Sequence, residues 1–477
     1  MNKALSRSAA RRLRVVPSSL DVYMTDACNM RCSYCASSRF IEGGGGRTLS
    51  LPLLLRGVDA FASLVAPRAG ADDPAGVREV SYTGGEPLLR WDLLGQAVKA
   101  VRKKHPWLKQ TVFTNGTLLT PEKAGLLLHA GVRIVVSLDG GRAVNDRHRR
   151  LAGGGPGFAA VAANLRRLSP AQRAGVHLMA TFTSATAGAM TETVRFFRTL
   201  GCRDIHLGLD LYEDWSPRTL ARLRKALAEL RAYCLRDGSA GDGAGPTAGR
   251  GPGGDWDFNF YFKDRVTACL DLTPSNSFTL SPDGFFYPCD ELCISAADPA
   301  KYAVGGAESG LDLGRLERVY ADVERRVKGL DQVNGVLSPI DRYFRAVLDG
   351  RDPAASLKAG GRVTRVFMEE LGGLVEVERL FKMLARAPGF GDLSHRPRHA
   401  LRAEGRRARL TAPAAPADLA AARAAADLVL YSPGKRKELV LRSEGSFGDA
   451  ARGLALYAAL KGSRLGRRTR VALEAGP

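Results

Sequence analysis

Three cysteines near the N-terminus, Cys28, Cys32 and Cys35, stand in the string Cys-Asn-Met-Arg-Cys-Ser-Tyr-Cys, a CxxxCxxC spacing that directly follows an apolar run. A cubane iron–sulfur cluster is normally held by four cysteine thiolates. Three close thiolates without a fourth leave one iron open, and an open metal position is where chemistry takes place. The competing reading is a structural zinc site or buried thiols. Zinc asks for four ligands, usually as two pairs, and here the next cysteine along the chain is Cys202 and the first histidine is His105. Clustered thiols in a chain of this size also argue against a disulfide scaffold.

A second group, Cys269, Cys289 and Cys293, lies far downstream. Between its first two members runs Ser281-Pro282-Asp283-Gly284, a tight-turn signal between two strands. Such a hairpin would bring Cys269 and Cys289 together. Asp290 follows Cys289 directly and is read in two ways, as a general base or as the cap of a short turn before Glu291-Leu292. Cys202 and Cys234 read as ordinary small buried side chains, Cys234 with an alternative as a further ligand.

These residues need a frame. From residue 18 to 212 short apolar strands, at 20–27, 79–83, 110–114, 133–138, 176–182 and 204–209, alternate with helical stretches at 51–65, 91–105, 121–130, 158–168, 191–200 and 217–236. Six βα units predict a parallel sheet with helices outside, a partial (β/α)6 TIM-type barrel in the α/β class. Active sites of such barrels lie at the C-terminal ends of the strands, and the first cysteine group sits at the end of the first. The expected domains are a barrel over 18–237, a Gly/Pro-rich linker over 238–256, a small cysteine-bearing module over 257–330, a helical segment over 331–386, and a basic tail over 387–477. The tail divides into an Arg/Ala/Pro-rich stretch to about 425, expected to be partly disordered, and a small α+β element with strands at 428–431, 438–442 and 469–473 and a helix at 447–460.

The first cysteine motif, with an aromatic residue before its last cysteine, resembles the signature of the radical S-adenosylmethionine (radical SAM) enzymes. Gly84-Gly85-Glu86-Pro87, one strand later, resembles the segment that holds the SAM amino group in that family. Gly-Gly alone is usually only a turn. Asn115, in Thr-Asn-Gly-Thr at the end of the third strand, is read either as a hydrogen-bond partner of SAM or as part of a plain Asn-Gly turn, and Ser137, in Ser-Leu-Asp-Gly at the end of the fourth, falls where the family's polar strand-end groups face SAM or substrate. The latter segment resembles that of peptide-modifying members, which continue with a His-Asp pair and an arginine. Here Asn145 replaces the histidine, whereas Asp146 and Arg149 keep their places, and Arg149 has the fork geometry for a carboxylate. The second cysteine group resembles the opening of SPASM and twitch modules, which carry auxiliary clusters. With no cysteine after Cys293, a single twitch-like 4Fe–4S cluster is the most it holds, and the alternative is that these thiols are unmetallated hairpin residues. In the anaerobic sulfatase-maturase branch, the aspartate that matches Asp290 is the proposed base.

The resemblance implies a 4Fe–4S cluster, SAM, an electron donor such as flavodoxin or ferredoxin, and a peptide or protein substrate that is oxidised or crosslinked. A small-molecule role in cofactor or antibiotic biosynthesis is the alternative among enzymes. A non-catalytic iron–sulfur or zinc protein, or an RNA-binding one, is the alternative of another class.

With 477 residues and 45% hydrophobic content the chain builds a proper core. Residues 1–14 are basic and lack the apolar centre of a signal peptide, and there is no run of 18 apolar residues, so a cytoplasmic location and no membrane span are expected. The net charge is +21, and residues 386–477 hold 18 Lys and Arg against 8 Asp and Glu. That is either an anion-binding surface or an arginine-rich solvated face. The few aromatics there and the lack of an RNA-recognition signature argue against nucleic acid.

Overall fold

The computed structural model describes residues 19–35, 37, 46–65, 78–210, 213, 215–236, 258–262, 266–270, 277–294, 301–316, 318–319, 346, 350–352, 362–363, 366, 370, 400–404, 407–412, 438–443 and 470–475. The expected linker over 238–256 and most of the helical segment over 331–386 lie outside these residues.

Six parallel strands form the barrel wall in the order β1 (Ser19–Tyr23), β3 (Glu79–Thr83), β4 (Lys109–Thr114), β5 (Val132–Ser137), β7 (Val176–Phe182) and β8 (Asp204–Leu209). Helices α1 (Leu51–Val65), α2 (Trp91–Lys104), α3 (Pro121–His129), α5 (Phe158–Arg167), α7 (Met190–Thr199) and α8 (Pro217–Arg236) alternate with them along the chain. This is the expected partial (β/α)6 barrel. Strand period explains the two faces. Along β7, Val176, Leu178, Ala180 and Phe182 are buried in the core shared with the helices, whereas His177, Met179 and Thr181 point to the other face. Along β1 the same alternation buries Leu20 and Val22 and turns Ser19, Asp21 and Tyr23 to the concave side. The inner wall is therefore largely polar, unlike the apolar fill of a closed eight-stranded barrel.

Local signals set the helix ends. Thr120 caps α3, its hydroxyl accepting from Lys123 N, with Pro121 in the first turn. Gly131 follows that helix at φ 72°, the left-handed position that closes many helices.

Beyond β8 the chain supplies both edges of the same sheet. β9 (Phe258–Phe262) and β10 (Val266–Leu270) form a hairpin whose second strand runs parallel to β8. β11 (Ser277–Leu280) then crosses to the other edge, pairs parallel with β1, and turns through Pro282-Asp283-Gly284 into β12 (Phe286–Tyr287). The turn signal thus joins β11 to β12 and does not lead back to the strand of Cys269. Cys269 is on β10 and Cys289 is just past β12, at opposite ends of the sheet order. Strand pairing across the sheet overrode sequence adjacency.

Two short helices, α4 (Arg142–His148) and α6 (Pro170–Ala174), were not expected from periodicity. Elements of five to seven residues give too few turns for a pattern to emerge. In the tail, β15 (Ala400–Glu404) and β16 (Arg407–Ala412) form a hairpin within the stretch whose composition led to an expectation of partial disorder. Their alternating Arg/Ala/Leu pattern is the strand signal that composition hides. β17 (Glu438–Ser443) pairs parallel with β16, and β18 (Arg470–Ala475) with β17. The expected strand at 428–431 and helix at 447–460 fall outside the described residues. Among the described residues no helix is long and apolar enough to cross a membrane.

Candidate active site

The first cysteine loop is rooted in the barrel by backbone contacts. Met24 N donates to Thr83 O, Gly85 N to Thr25 O and Glu86 N to Ala27 O, at 3.0, 2.7 and 2.9 Å. Gly84 sits at φ 128°. A Cβ on Gly84 would overlap the carbonyl oxygen of Thr25, and one on Gly85 that of Ala27. Glycine is required here because two backbone segments touch. The close approach expected toward a ligand is an approach to the root of the cysteine loop.

Past that root, Met30–Cys32 (β2) pairs antiparallel with Arg149–Leu151 (β6), with Cys32 opposite Arg149. Ser33 N donates to His148 O at 3.0 Å, and Ser33 Oγ shares a 2.7 Å hydrogen bond with His148 Nδ1. His148 Nε2 in turn meets Thr183 Oγ1 at 3.1 Å, so the loop is tied to the end of β7.

Burial pushes the Cys28 thiol up to about 11 and also raises Cys32, where the Arg149 guanidinium opposes the shift. A coordinating cation reverses that balance and deprotonates a thiol outright. The three thiols feel one another's charge. Among the described residues no three His, Cys, Asp or Glu side chains are gathered tightly enough to grip one ion. A cubane asks for less, because each thiolate binds its own iron. A half-buried loop with three soft donors fits such a cluster.

Glu86 is fully buried and its carboxylate is taken up by the chain. Oε1 accepts from Leu88 N at 2.9 Å and from Thr114 Oγ1 at 2.7 Å, and Oε2 from Asn115 N at 2.7 Å. It fixes the end of β4, where it was expected to meet the cofactor. Asn115 Nδ2 donates to Asn29 Oδ1 at 2.8 Å and lies 3.9 Å from Cys28 Sγ, while its Oδ1 accepts from Thr117 N and Oγ1. Asn29 and Thr117 belong to this network and were missed, because residues 88 positions apart carry no sequence signal of contact.

Asp139 is the hub of the opposite wall. Its Oδ2 accepts from Tyr34 OH at 2.6 Å and its Oδ1 from Arg149 Nε and Thr181 N, each at 3.0 Å. Asn145 Oδ1 accepts from Asp139 N at 3.3 Å, so the asparagine that replaces the family's histidine supports this hub. Arg149 is buried, with its charge held by Asp139, and its guanidinium lies 5.4 Å from the Tyr34 ring centre. Its guanidinium was expected to meet a ligand carboxylate; in the structure its Nε is bonded to the chain's own Asp139. Ser137, the last residue of β5, is half-buried on the concave face beside Met179.

Of the second group, Cys289 and Cys293 are buried beside β1. Asp290 begins the short helix α9 (Asp290–Ile294) and accepts from Tyr23 OH at 3.5 Å. The Tyr23 phenol is raised by burial and then by the charges of Asp290, Cys293 and Cys35. One tyrosine therefore stands between the two cysteine groups. The side chains of Cys269 and Cys234 lie outside the description.

A family profile described as the Radical SAM superfamily matches residues 22–197. The chain carries a radical SAM domain. A 4Fe–4S cluster and SAM are the cofactors that this domain implies. GTP 3′,8-cyclase of Paenarthrobacter nicotinovorans is 35% identical over 116 residues, which is 24% of this chain and 30% of that protein. GTP 3′,8-cyclase 2 of Mycobacterium tuberculosis is 38% identical over 125 residues, 26% of this chain and 32% of that protein. The matches thus span about a third of the length of these relatives. Among solved structures, anSMEcpe with bound AdoMet and Cp18Cys peptide has a TM-score of 0.46 at 18% identity, covering 62% of this chain and 79% of that one. Streptococcus suis SuiB bound to S-adenosylmethionine has a TM-score of 0.41 at 15% identity, covering 62% and 64%.

Proposed function

We propose that this protein is a radical SAM enzyme that oxidises or crosslinks a peptide or protein substrate. Cys28, Cys32 and Cys35 hold the 4Fe–4S cluster, with one iron left for SAM. Together the cluster and SAM would supply one-electron reductive cleavage of SAM and, through it, hydrogen-atom abstraction from substrate. The chain does the rest. The Gly84-Gly85 turn presents backbone carbonyls to the SAM amino group, and Glu86 holds the floor beneath it. Asn115 and Ser137 offer polar groups along the strand ends. Asp290 takes the proton released as the substrate radical is oxidised. An external donor such as flavodoxin or ferredoxin delivers the electron.

The observation that carries the substrate reading is the contact between Tyr23 and Asp290. It sets a carboxylate, flanked by the buried Cys289 and Cys293, at the end of β1 beside the first cysteine loop. A general base must lie within hydrogen-bond reach of the proton it takes, and in this reading the substrate binds against Asp290. Cys289 and Cys293 are ligands for a second cluster in this reading, and Cys269 joins them only if the two edges of the sheet close on each other. A small-molecule substrate is the second reading, favoured by the relatives named GTP 3′,8-cyclase.

The test is anaerobic reconstitution with iron and sulfide counts, then incubation with SAM and dithionite. 5′-Deoxyadenosine from the parent, and none from a variant with Ala at positions 28, 32 and 35, is the expected result. A fully iron-loaded parent that forms none, with or without peptides, overturns the proposal. Candidate peptides and GTP, offered separately, decide between the two substrate readings by which one changes mass.

A further inference from the structure

The ribbon of β2 and β6 sets Cys32 opposite Arg149. Side chains so paired hold their Cβ atoms about 4.5–5.5 Å apart, well within the reach of an arginine. Arg149 cannot turn away to solvent, because it is 8% exposed. Its Nε is fixed on Asp139 Oδ1 at 3.0 Å, and its guanidinium lies against the Tyr34 ring. Tyr34 OH closes the circuit on Asp139 Oδ2 at 2.6 Å. Asp139 is itself 1% exposed and is further held by Thr181 N. The result is a rigid, buried ion pair with its cationic member facing the middle cysteine of the motif.

We propose that Asp139 and Arg149 act as an electrostatic setting on the cluster held by Cys32, the guanidinium favouring its reduced form and the carboxylate opposing it. This rests on the assignment of Cys32 as a ligand made above. Reduction adds one electron, and no proton, to the cluster. A fixed cation beside a thiolate ligand stabilises the added charge, and a fixed anion destabilises it. Burial keeps solvent and salt from screening either effect. Arg149 and Asp139 are positioning residues in this scheme, acting through Cys32.

A purely structural pair and an electrostatic one differ in sign. If the pair only holds the loop, removing either member harms the cluster alike. If it sets the potential, the two changes act in opposite directions. The experiment is an EPR-monitored redox titration of the reconstituted full-length protein, with dithionite as reductant and no substrate. In Arg149→Gln the equilibrium constant for one-electron reduction should fall about tenfold, or about 59 mV. In Asp139→Asn, which leaves the guanidinium unbalanced, it should rise by a similar factor. Shifts of the same sign, or neither potential moving by as much as about twofold in that constant, overturn the proposal. Should Arg149→Gln fail to load iron, Arg149→Lys replaces it. The lysine variant keeps the charge, so a potential close to the parent's supports the proposal, and a loss of loading equal to that of the glutamine variant overturns it. A parent that takes up no iron overturns the assignment of Cys32, and this inference falls with it.

Discussion

The carboxylate of Glu86 and the backbone N–H of Asn115 meet at 2.7 Å across the ends of two neighbouring strands, β3 and β4. That bond fixes where the Asn115 side chain stands relative to Cys28. It also explains why a fully buried acid is tolerated, since three donors converge on its two oxygens.

Glu86→Gln should therefore cost about 2 kcal/mol at neutral pH, because one acceptor becomes an NH2 group facing a donor. Thermal unfolding of parent and variant checks it. Burial raises the pKa of Glu86, against hydrogen bonds from Asn115, Thr114 and Leu88. A carboxylate raised on folding contributes stability that is full below its ordinary value of 4.5 and is lost as pH rises through the folded value. The stability difference between parent and variant should accordingly shrink as pH rises above 4.5. A difference that grows with pH counts against this account.

Gly85→Ala should be more severe. Its new methyl group overlaps the backbone carbonyl of Ala27, and neither segment can retreat without breaking the hydrogen bonds that root the cysteine loop. A loss of roughly 3 kcal/mol is expected, together with iron uptake after reconstitution below half the parent's. Parent-like iron content in Gly85→Ala would show that the loop is positioned by other contacts.

The second cysteine group is tested by counting iron. The double variant Cys289→Ala, Cys293→Ala should fall from about eight irons per chain to about four if an auxiliary cubane forms. Both side chains are buried, so the variant's melting temperature must be followed in parallel. About four irons in both proteins would leave Cys289 and Cys293 as packing residues.

Asp290→Asn separates the two halves of the reaction. On the proposed reading SAM is cleaved at the first cysteine loop, so 5′-deoxyadenosine formation should stay within about twofold of the parent. Conversion of a substrate should drop about 10²-fold or more, the usual worth of a positioned base. Mass spectrometry of the substrate and chromatography of the nucleoside read the two rates in one sample. Equal losses in both would make Asp290 part of the SAM site.

Much of the fold was legible before the structure. The strands at Glu79–Thr83, Val176–Phe182 and Asp204–Leu209, and the helices at Leu51–Val65 and Pro217–Arg236, stand where periodicity put them. Long amphipathic segments bounded by turn residues carry their own instructions. The short helices α4 and α6 and the hairpin of β15 and β16 did not announce themselves, because few residues or a biased composition leave no period to detect.

The sequence by itself determined which residues could do chemistry. CxxxCxxC, the Gly84-Gly85 turn and the strand-end positions of Asn115 and Ser137 follow from residue type, spacing and the alternation of strands with helices, all local properties of the chain. Only the tertiary structure decided what those residues touch. It gave the glycines to the backbone of Thr25 and Ala27, the Glu86 carboxylate to Asn115, and Arg149 to Asp139 and Cys32. It also sent Cys269 to the opposite end of the sheet from Cys289. The reason is physical: buried polar groups must find partners, and those partners come from whichever strand the sheet lays alongside, at sequence separations over which local pattern carries no information.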